Sequence, residues 1–241
     1  MVTKNQIKLV ASLQQKKYRS QHKLFVVEGE KTVTELLDTG LKPFKLFAED
    51  SKDVKSLGHV DLVSKTVLKR MSSLVNPNGI LGVFHIPDER QIDANDWIVA
   101  LDAVRDPGNL GTIIRLCDWF GVEQLICSLD TVDCYSPKVL QATMGSIARV
   151  NITYLDLPEF LKKTELPVYG TFMDGEAVYT KKLPPKGVLV MGNEGNGISE
   201  EIKTSIQERI TIPQFGETTT ESLNVATATA IFLNEIRRGC K

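Results

Sequence analysis

The chain has 241 residues, of which 42% are hydrophobic and 24% charged, with 17 Gly and 10 Pro. That length and balance exclude wholesale disorder, a collagen-like or coiled-coil fibre and any need for disulfide or metal staples, and leave one or two ordinary globular domains. The 29 Lys and Arg against 30 Asp and Glu leave a net charge of −1, so the whole-chain charge makes no case for nucleic acid, although a mean can hide a patch.

The first segment is such a candidate patch. Residues 1–48 carry nine basic and four acidic side chains, a balance of +5, and the remainder of the chain carries −6. One reading is a basic module that meets phosphate, with Lys16, Lys17 and Arg19 in a polar corner. The plain alternative is a solvated lysine-rich surface. KNQIKLVASLQQKKY has apolar residues at 7, 9, 10 and 13, a helical spacing that ends at that corner. KLFVVEG (23–29) predicts a strand, EKTVTELLDTG (30–40) a helix stopped by Gly40, and FKLFAE (44–49) and VDLVS (60–64) two strands. KTVLKRMSSL (65–74) predicts a short helix, NPNG (76–79) a turn and ILGVFH (80–85) a strand. PDERQIDAND (87–96) is polar and without period, so it reads as a linker. The boundaries are a small α/β module over 1–88, a linker at 89–96 and a second module over 97–241.

The second module differs in texture. WIVALDAV (97–104) is almost continuously apolar, as a strand buried on both faces of a parallel sheet must be. TIIRLCDWFG (112–121) predicts a helix. QLICS (124–128), VNITYL (150–155), PVYGTF (167–172), GVLVMG (187–192) and ERITIP (208–213) predict strands. PKVLQATMGSIAR, PEFLKKT, SEEIKTSIQ and SLNVATATAIFLNEIRR predict the helices between and after them. This alternation is the pattern of a doubly wound parallel sheet.

Cys117, Cys127, Cys134 and Cys240 include no CxxC pair, and His22, His59 and His85 stand near none of them, which argues against structural zinc. The thiols are expected to be reduced and buried. The opening residues lack the apolar stretch of a signal peptide, and no apolar run reaches the length of a membrane span. A cytoplasmic protein with no membrane and no metal partner is expected.

In doubly wound sheets ligands bind where strands run into helices. Three such loops stand out. In DAVRDPGNLGTIIR (102–115), Asp106-Pro107-Gly108 is a turn, Asn109 is a plausible helix cap, and Arg115 stands above that loop beside free helix-start amides that suit an anion. VMGNEGNGIS (190–199) has three glycines that let backbone approach a ligand closely, but in an order that fits neither the dinucleotide fingerprint nor the P-loop. IPQFGETTTESLNVATATA (212–230) is a polar loop running into an apolar helix, with Thr220 or Ser222 as candidate caps. Each alone carries an ordinary structural reading, a turn or a cap, of equal weight beside the functional one.

Together, in order and spacing, they resemble the three motifs of the SpoU/TrmH family of RNA ribose 2′-O-methyltransferases, within the SPOUT superfamily. The first motif looks like D-x-x-x-D-P-x-N-x-G-x-x-x-R, matched through Asn109 and Arg115; the second like G-x-E-x-x-G; the third like S-L-N-V with small residues after it. SPKVLQATMGSIARV and LFVVEGEKTVTELL are also similar to the family. One departure is Ala226-Thr227, where many relatives have Ser-Val.

The resemblance implies an α/β fold. Its carboxyl-terminal part would be a SPOUT parallel sheet with a deep trefoil knot, preceded by a smaller ribosomal-protein-like RNA-binding domain. It implies S-adenosylmethionine as cofactor and a guanosine or other nucleoside 2′-hydroxyl of ribosomal or transfer RNA as substrate, ribosomal RNA being favoured. It implies a homodimer packed through the carboxyl-terminal domain. Met191, Gly192, Gly197, Ile212 and Leu223 would hold the cofactor, with Met191 and Ile198 flanking adenine. Arg115, Asn109, Glu194, Ser222 and Asn224 would be the catalytic set, and Lys16, Lys17 and Arg19 would meet RNA. A guanidinium keeps its proton in ordinary surroundings, so an electrostatic clamp on phosphate and alkoxide is the preferred role for Arg115; a base role is the alternative. A dinucleotide oxidoreductase should show G-x-G-x-x-G, which is absent. A catalytically silent RNA-binding relative should have lost Arg115, Glu194 or the SLN triplet, and all are present.

Overall fold

In the computed structural model the described residues are 2–49, 59–216 and 221–238. They fall into two units, Met1–Glu89 with Asp133–Ala148, and Arg90–Val132 with Arg149–Lys241.

In the first unit Thr3 opens helix α1 (Lys4–Ser12) with a capping box, its hydroxyl accepting from the Gln6 amide while the Gln6 side chain accepts from the Thr3 amide. A second helix, α2 (Lys16–His22), continues the basic segment that sequence ended at a corner. Strands β1 (Leu24–Glu28), β2 (Pro43–Ala48), β3 (Asp61–Leu62) and β4 (Ile80–His85) form one sheet in the order β1-β4-β2-β3. Helices α3 (Glu30–Asp38) and α4 (Lys65–Met71) complete the unit, and Gly40, at φ +80°, stands just past the end of α3. Ile7, Val10, Leu13, Leu24, Phe47, Leu68 and Leu81 share its core.

Two expectations about this unit change. Lys16 and Lys17 are exposed, but Arg19 is 3% exposed. Its guanidinium donates to the carbonyls of Leu13 and Gln14, both at 2.8 Å, and pairs with Asp133 at 2.5 Å. All of Arg19's charge is therefore engaged inside the unit, and it leaves the basic RNA set. The segment 133–148, placed by texture in the second module, packs with the first. Besides the Arg19–Asp133 pair, the Tyr135 ring lies 4.8 Å from that of Phe25, and α6 (Pro137–Thr143) lies against β1. Gly145 sits at φ +95°, a conformation that strains any side chain, and a Cβ there would also have to displace the Glu35 carboxylate, 2.6 Å away.

The second unit is a six-stranded sheet, every pair parallel, in the order β10-β8-β9-β5-β6-β7. The strands are β5 (Ile98–Leu101), β6 (Gln124–Ser128), β7 (Asn151–Leu155), β8 (Val168–Ala177), β9 (Val188–Met191) and β10 (Glu208–Thr211). Every residue of β5 and β9 is buried, as their unbroken apolar runs require. Helices α5 (Pro107–Trp119), α7 (Leu157–Lys163), α8 (Glu200–Lys203) and α9 (Val225–Arg238) flank the sheet. The SEEIKTSIQ helix is thus one turn only. Arg237 of α9 clasps Asp96 with both nitrogens, at 2.8 and 2.6 Å, and donates to the Phe120 and Gly121 carbonyls that end α5. Cys117, Cys127 and Cys134 are buried thiols, and burial pushes Cys117 up to about 12, which makes it inert. Cys240 lies outside the described residues.

Two details position the site. From β5 the chain winds outward through β6 and β7, while β9 lies on the other side of β5. The loops leaving β5 and β9 therefore diverge at a switch point, where α/β sheets bind ligands. In addition, β8 pairs Gly170 with Arg209 and then Glu176 with Ile210, so residues 171–175 are skipped. That bulge frees Thr171, Phe172 and Met173 from the ladder.

Candidate functional site

The first loop is built differently from expectation. Helix α5 starts at Pro107, with Asp106 as its cap; the Asp106 carboxylate accepts from the Asn109 amide at 2.8 Å. Asn109 is therefore in the first turn rather than at the cap, and its side chain is released for other partners. Arg115 lies eight residues beyond Pro107, about 12 Å along the axis, well away from the helix-start amides. It is exposed on the open side of α5.

The second loop is a pinched turn. Asn193 and Gly197 exchange two backbone hydrogen bonds of 2.9 Å. The Asn193 side-chain oxygen accepts from the amides of Gly195 and Asn196, and its amide group donates to the Ala103 carbonyl at 2.6 Å. Gly197 sits at φ +67°. A Cβ on Gly192 would stand 2.3 Å from the Gly197 carbonyl carbon and 2.4 Å from the Ile198 nitrogen. The close approach that needs glycine at 192 is thus to the returning limb of the same loop.

Glu194 stands at the tip of this turn and reaches the first loop. Its carboxylate accepts from the Asn109 side chain at 3.0 Å and from the amides of Arg105 and Asp106 at 3.4 and 3.3 Å. Burial pushes its carboxyl up, but these hydrogen bonds outweigh burial and hold it below the usual glutamate value. The third loop joins at Asn224, whose amide donates to the Asn109 side-chain oxygen at 2.8 Å. The Asn224 oxygen accepts from the amides of Ala226 and Thr227, so Asn224 caps α9. That replaces the expected cap at Ser222; Thr220 lies outside the described residues. Asn224, Asn109 and Glu194 thereby form one hydrogen-bonded chain through all three loops.

Beside this chain opens a cavity of about 560 Å³, of a size that takes a nucleoside-sized ligand. Met191, Gly192, Gly197, Ile198, Ile212 and Leu223 line it, as do Glu194 and Ser222. Asn109, Asn224 and Arg115 do not. Thr171, Phe172 and Met173 of the β8 bulge form a further wall. Among the described residues no group of three or more His, Cys, Asp or Glu is placed to hold a metal ion, and no helix is long and apolar enough to cross a membrane.

A family model described as the SpoU rRNA Methylase family matches residues 96–234. The chain belongs to that family. A second model, the MRM3-like substrate binding domain, matches residues 4–82. A Bacillus subtilis (strain 168) protein named 23S rRNA (guanosine(2553)-2′-O)-methyltransferase RlmP is 31% identical over 244 residues, which span 97% of each chain. A solved structure of a TrmH-family protein from Porphyromonas gingivalis is similar at 38% identity and a TM-score of 0.92, covering 99% of both chains. An AdoMet-bound rRNA methyltransferase from Sinorhizobium meliloti is similar at 32% identity and 0.85, covering 99% of this chain and 96% of that one. The family expected from the three motifs is the family found.

In this SpoU-family chain two supporting residues were given no role by the sequence: Asp102, present there only as the first letter of the first motif, and Asn193. Asp102 accepts from the Ser199 amide at 2.7 Å while only 6% exposed, and Asn193 fastens the second loop to Ala103. A charged residue ending an otherwise apolar strand was the available signal for Asp102. Nothing local marked the β8 wall, because it arises from a register shift between distant strands.

Proposed function

We propose that this chain transfers the methyl group of S-adenosylmethionine to a ribose 2′-hydroxyl of ribosomal RNA. The observation that carries the reading is the Asn224–Asn109–Glu194 chain beside the cavity, which ties the three SpoU motifs into one site. The cavity suits the cofactor: apolar Met191, Ile198, Ile212 and Leu223 can flank a flat base, and the loop backbone supplies polar contacts. When bound, the cofactor supplies an electrophilic methyl on sulfonium. The names of the relatives, RlmP above all, point the same way for substrate.

The residues divide the work. Glu194 is held ionised by donors that already fill its oxygens, so it positions Asn109 and the first loop and is a poor proton acceptor. Arg115 offers an exposed guanidinium to the RNA phosphate and the developing alkoxide. Ser222, which lines the cavity, faces the ribose, and Asn224 orients it indirectly by holding Asn109. The first unit, over 1–88 in the sequence reading, binds RNA through Lys16 and Lys17, and the enzyme works in the cytoplasm. The carboxyl-terminal loops carry the trefoil knot of the family.

The full chain, incubated with methyl-labelled cofactor and separate ribosomal and transfer RNA, is expected to label ribosomal RNA on alkali-stable 2′-O-methyl nucleotides. Label in neither RNA, or only on bases, would overturn the assignment.

A two-fold dimer through the second unit belongs to the same reading. Of the apolar residues Ile231, Phe232 and Leu233 that α9 could bring to such an interface, Phe232 and Leu233 are buried in their own unit and Ile231 is half-buried. Its support is instead Trp119, 82% exposed on α5, the helix against which α9 packs. Sedimentation at micromolar concentration should give a dimer, and Trp119→Glu a monomer. A wild-type monomer would refute the dimer.

A further inference from the structure

One charge in the cavity has no task in the reading above. Lys203 is the single cation among the described lining residues, against the carboxylates of Glu194 and Glu221. It ends the one-turn helix α8, and its side chain is 35% exposed. Its ammonium donates to Glu200 at 2.6 Å, but the Glu200 side chain is 90% exposed, and an ion pair of that kind holds weakly. Acids of the neighbouring strands β8 and β10 lie outside the cavity lining and are held by other cations. Asp174 pairs with Arg209, whose guanidinium is in turn stacked on the Phe172 ring at 3.6 Å. Glu176 and Glu208 pair with Lys181 at 2.6 and 2.9 Å. A half-buried lysine thus faces a ligand cavity with a loose hydrogen-bonded partner, Glu200, and with Asp174, itself paired to Arg209, near enough to be felt electrostatically.

A carboxylate moved out of water needs a charged or hydrogen-bonding partner in its new surroundings. The methyl donor of the reading above carries an amino-acid tail with one carboxylate and one ammonium. The cavity offers one lysine, and Glu221 supplies the opposite sign. We propose that Lys203 holds the α-carboxylate of the cofactor's amino-acid tail, exchanging Glu200 for it on binding. This rests on the methyltransferase reading and adds the residue that separates the full cofactor from its tail-less nucleoside. Lys203 is a binding residue here and takes no part in methyl transfer itself.

Titration calorimetry of the full chain with S-adenosylhomocysteine and with 5′-methylthioadenosine, which lacks the tail, tests it. Lys203→Met keeps the length and apolar stem of the side chain and removes the charge. It is expected to weaken S-adenosylhomocysteine about tenfold, the typical loss for a charge-assisted hydrogen bond, and to leave methylthioadenosine unchanged. Lys203→Arg should retain most of the affinity. Glu200→Gln should tighten S-adenosylhomocysteine, because the competing carboxylate is gone. Unchanged methylthioadenosine binding also shows that the variant is folded. Equal loss for both ligands would place Lys203 on the nucleoside and overturn the proposal, as would no loss for either. A wild-type chain that binds neither compound would sink the methyltransferase reading itself.

Discussion

Gly192→Ala is expected to abolish cofactor binding, with a loss of more than a hundredfold in affinity for S-adenosylhomocysteine. The added methyl would lie 2.3–2.4 Å from backbone atoms of Gly197 and Ile198, which no side-chain rotation can relieve. The limbs of the turn must separate, and the two Asn193–Gly197 hydrogen bonds break with them. Glu194 then loses its register with Asn109 and the amides of Arg105 and Asp106. Overpacking of this kind costs about 1–3 kcal/mol of stability, a modest loss beside the loss of the site. The neighbouring glycines make the comparison sharp. At Gly197 no atom lies within 4 Å of a built Cβ, but φ is +67°, so alanine there costs about 1–2 kcal/mol from conformation alone. At Gly195 the nearest atom is 3.6 Å away, an ordinary contact. Thermal denaturation and calorimetry should therefore rank Gly192→Ala as most damaging, Gly197→Ala as intermediate and Gly195→Ala as mildest. A Gly192→Ala chain that binds as the parent does would mean that this loop is not the cofactor's wall.

The same loop shows how far a sequence can be read. Its glycines and the strand before it are visible in one dimension, because an unbroken apolar run ending in Gly-Asn-Glu-Gly-Asn-Gly marks a buried strand entering a tight turn, and only the three motifs together made that turn a site. The parallel sheet was legible for the same reason, and the site loops followed from where such sheets bind. Local signals failed where the deciding partner is remote. The Asp106 cap and the Asn109 side chain compete for the same helix start, and only Glu194, 85 residues away, shows why Asn109 is not the cap. Arg19 looks like one more surface cation until Asp133, 114 residues on, claims it. Likewise the β8 bulge depends on where β10 chooses to pair, and no window of ten residues contains that choice.

Arg115→Ala should lower methyl transfer about 10²–10³-fold while cofactor affinity stays at the parent value. The side chain does not line the cavity, and it is exposed on α5, so its removal leaves the cofactor's wall and the packing of the helix intact. What it removes is a planar cation aimed at charge that exists only with RNA in place. Arg115→Lys should fail almost as badly, since a point charge does not reproduce a two-pronged contact with phosphate. Lys16→Ala with Lys17→Ala should do the opposite. These two lysines are exposed on α2, and losing them should weaken RNA binding and flatten its dependence on salt by roughly one unit of slope per lost phosphate contact. Turnover at saturating RNA should then approach that of the parent. Arg19 has to be left out of that pair, because Arg19→Ala would leave Asp133 without its partner and the Leu13 and Gln14 carbonyls without a donor. Single-turnover methyl transfer, set beside RNA affinity measured over a range of salt, separates the two effects. An Arg115→Ala chain that methylates at the parent rate would remove Arg115 from the site, for the guanidinium has no other described partner through which to matter.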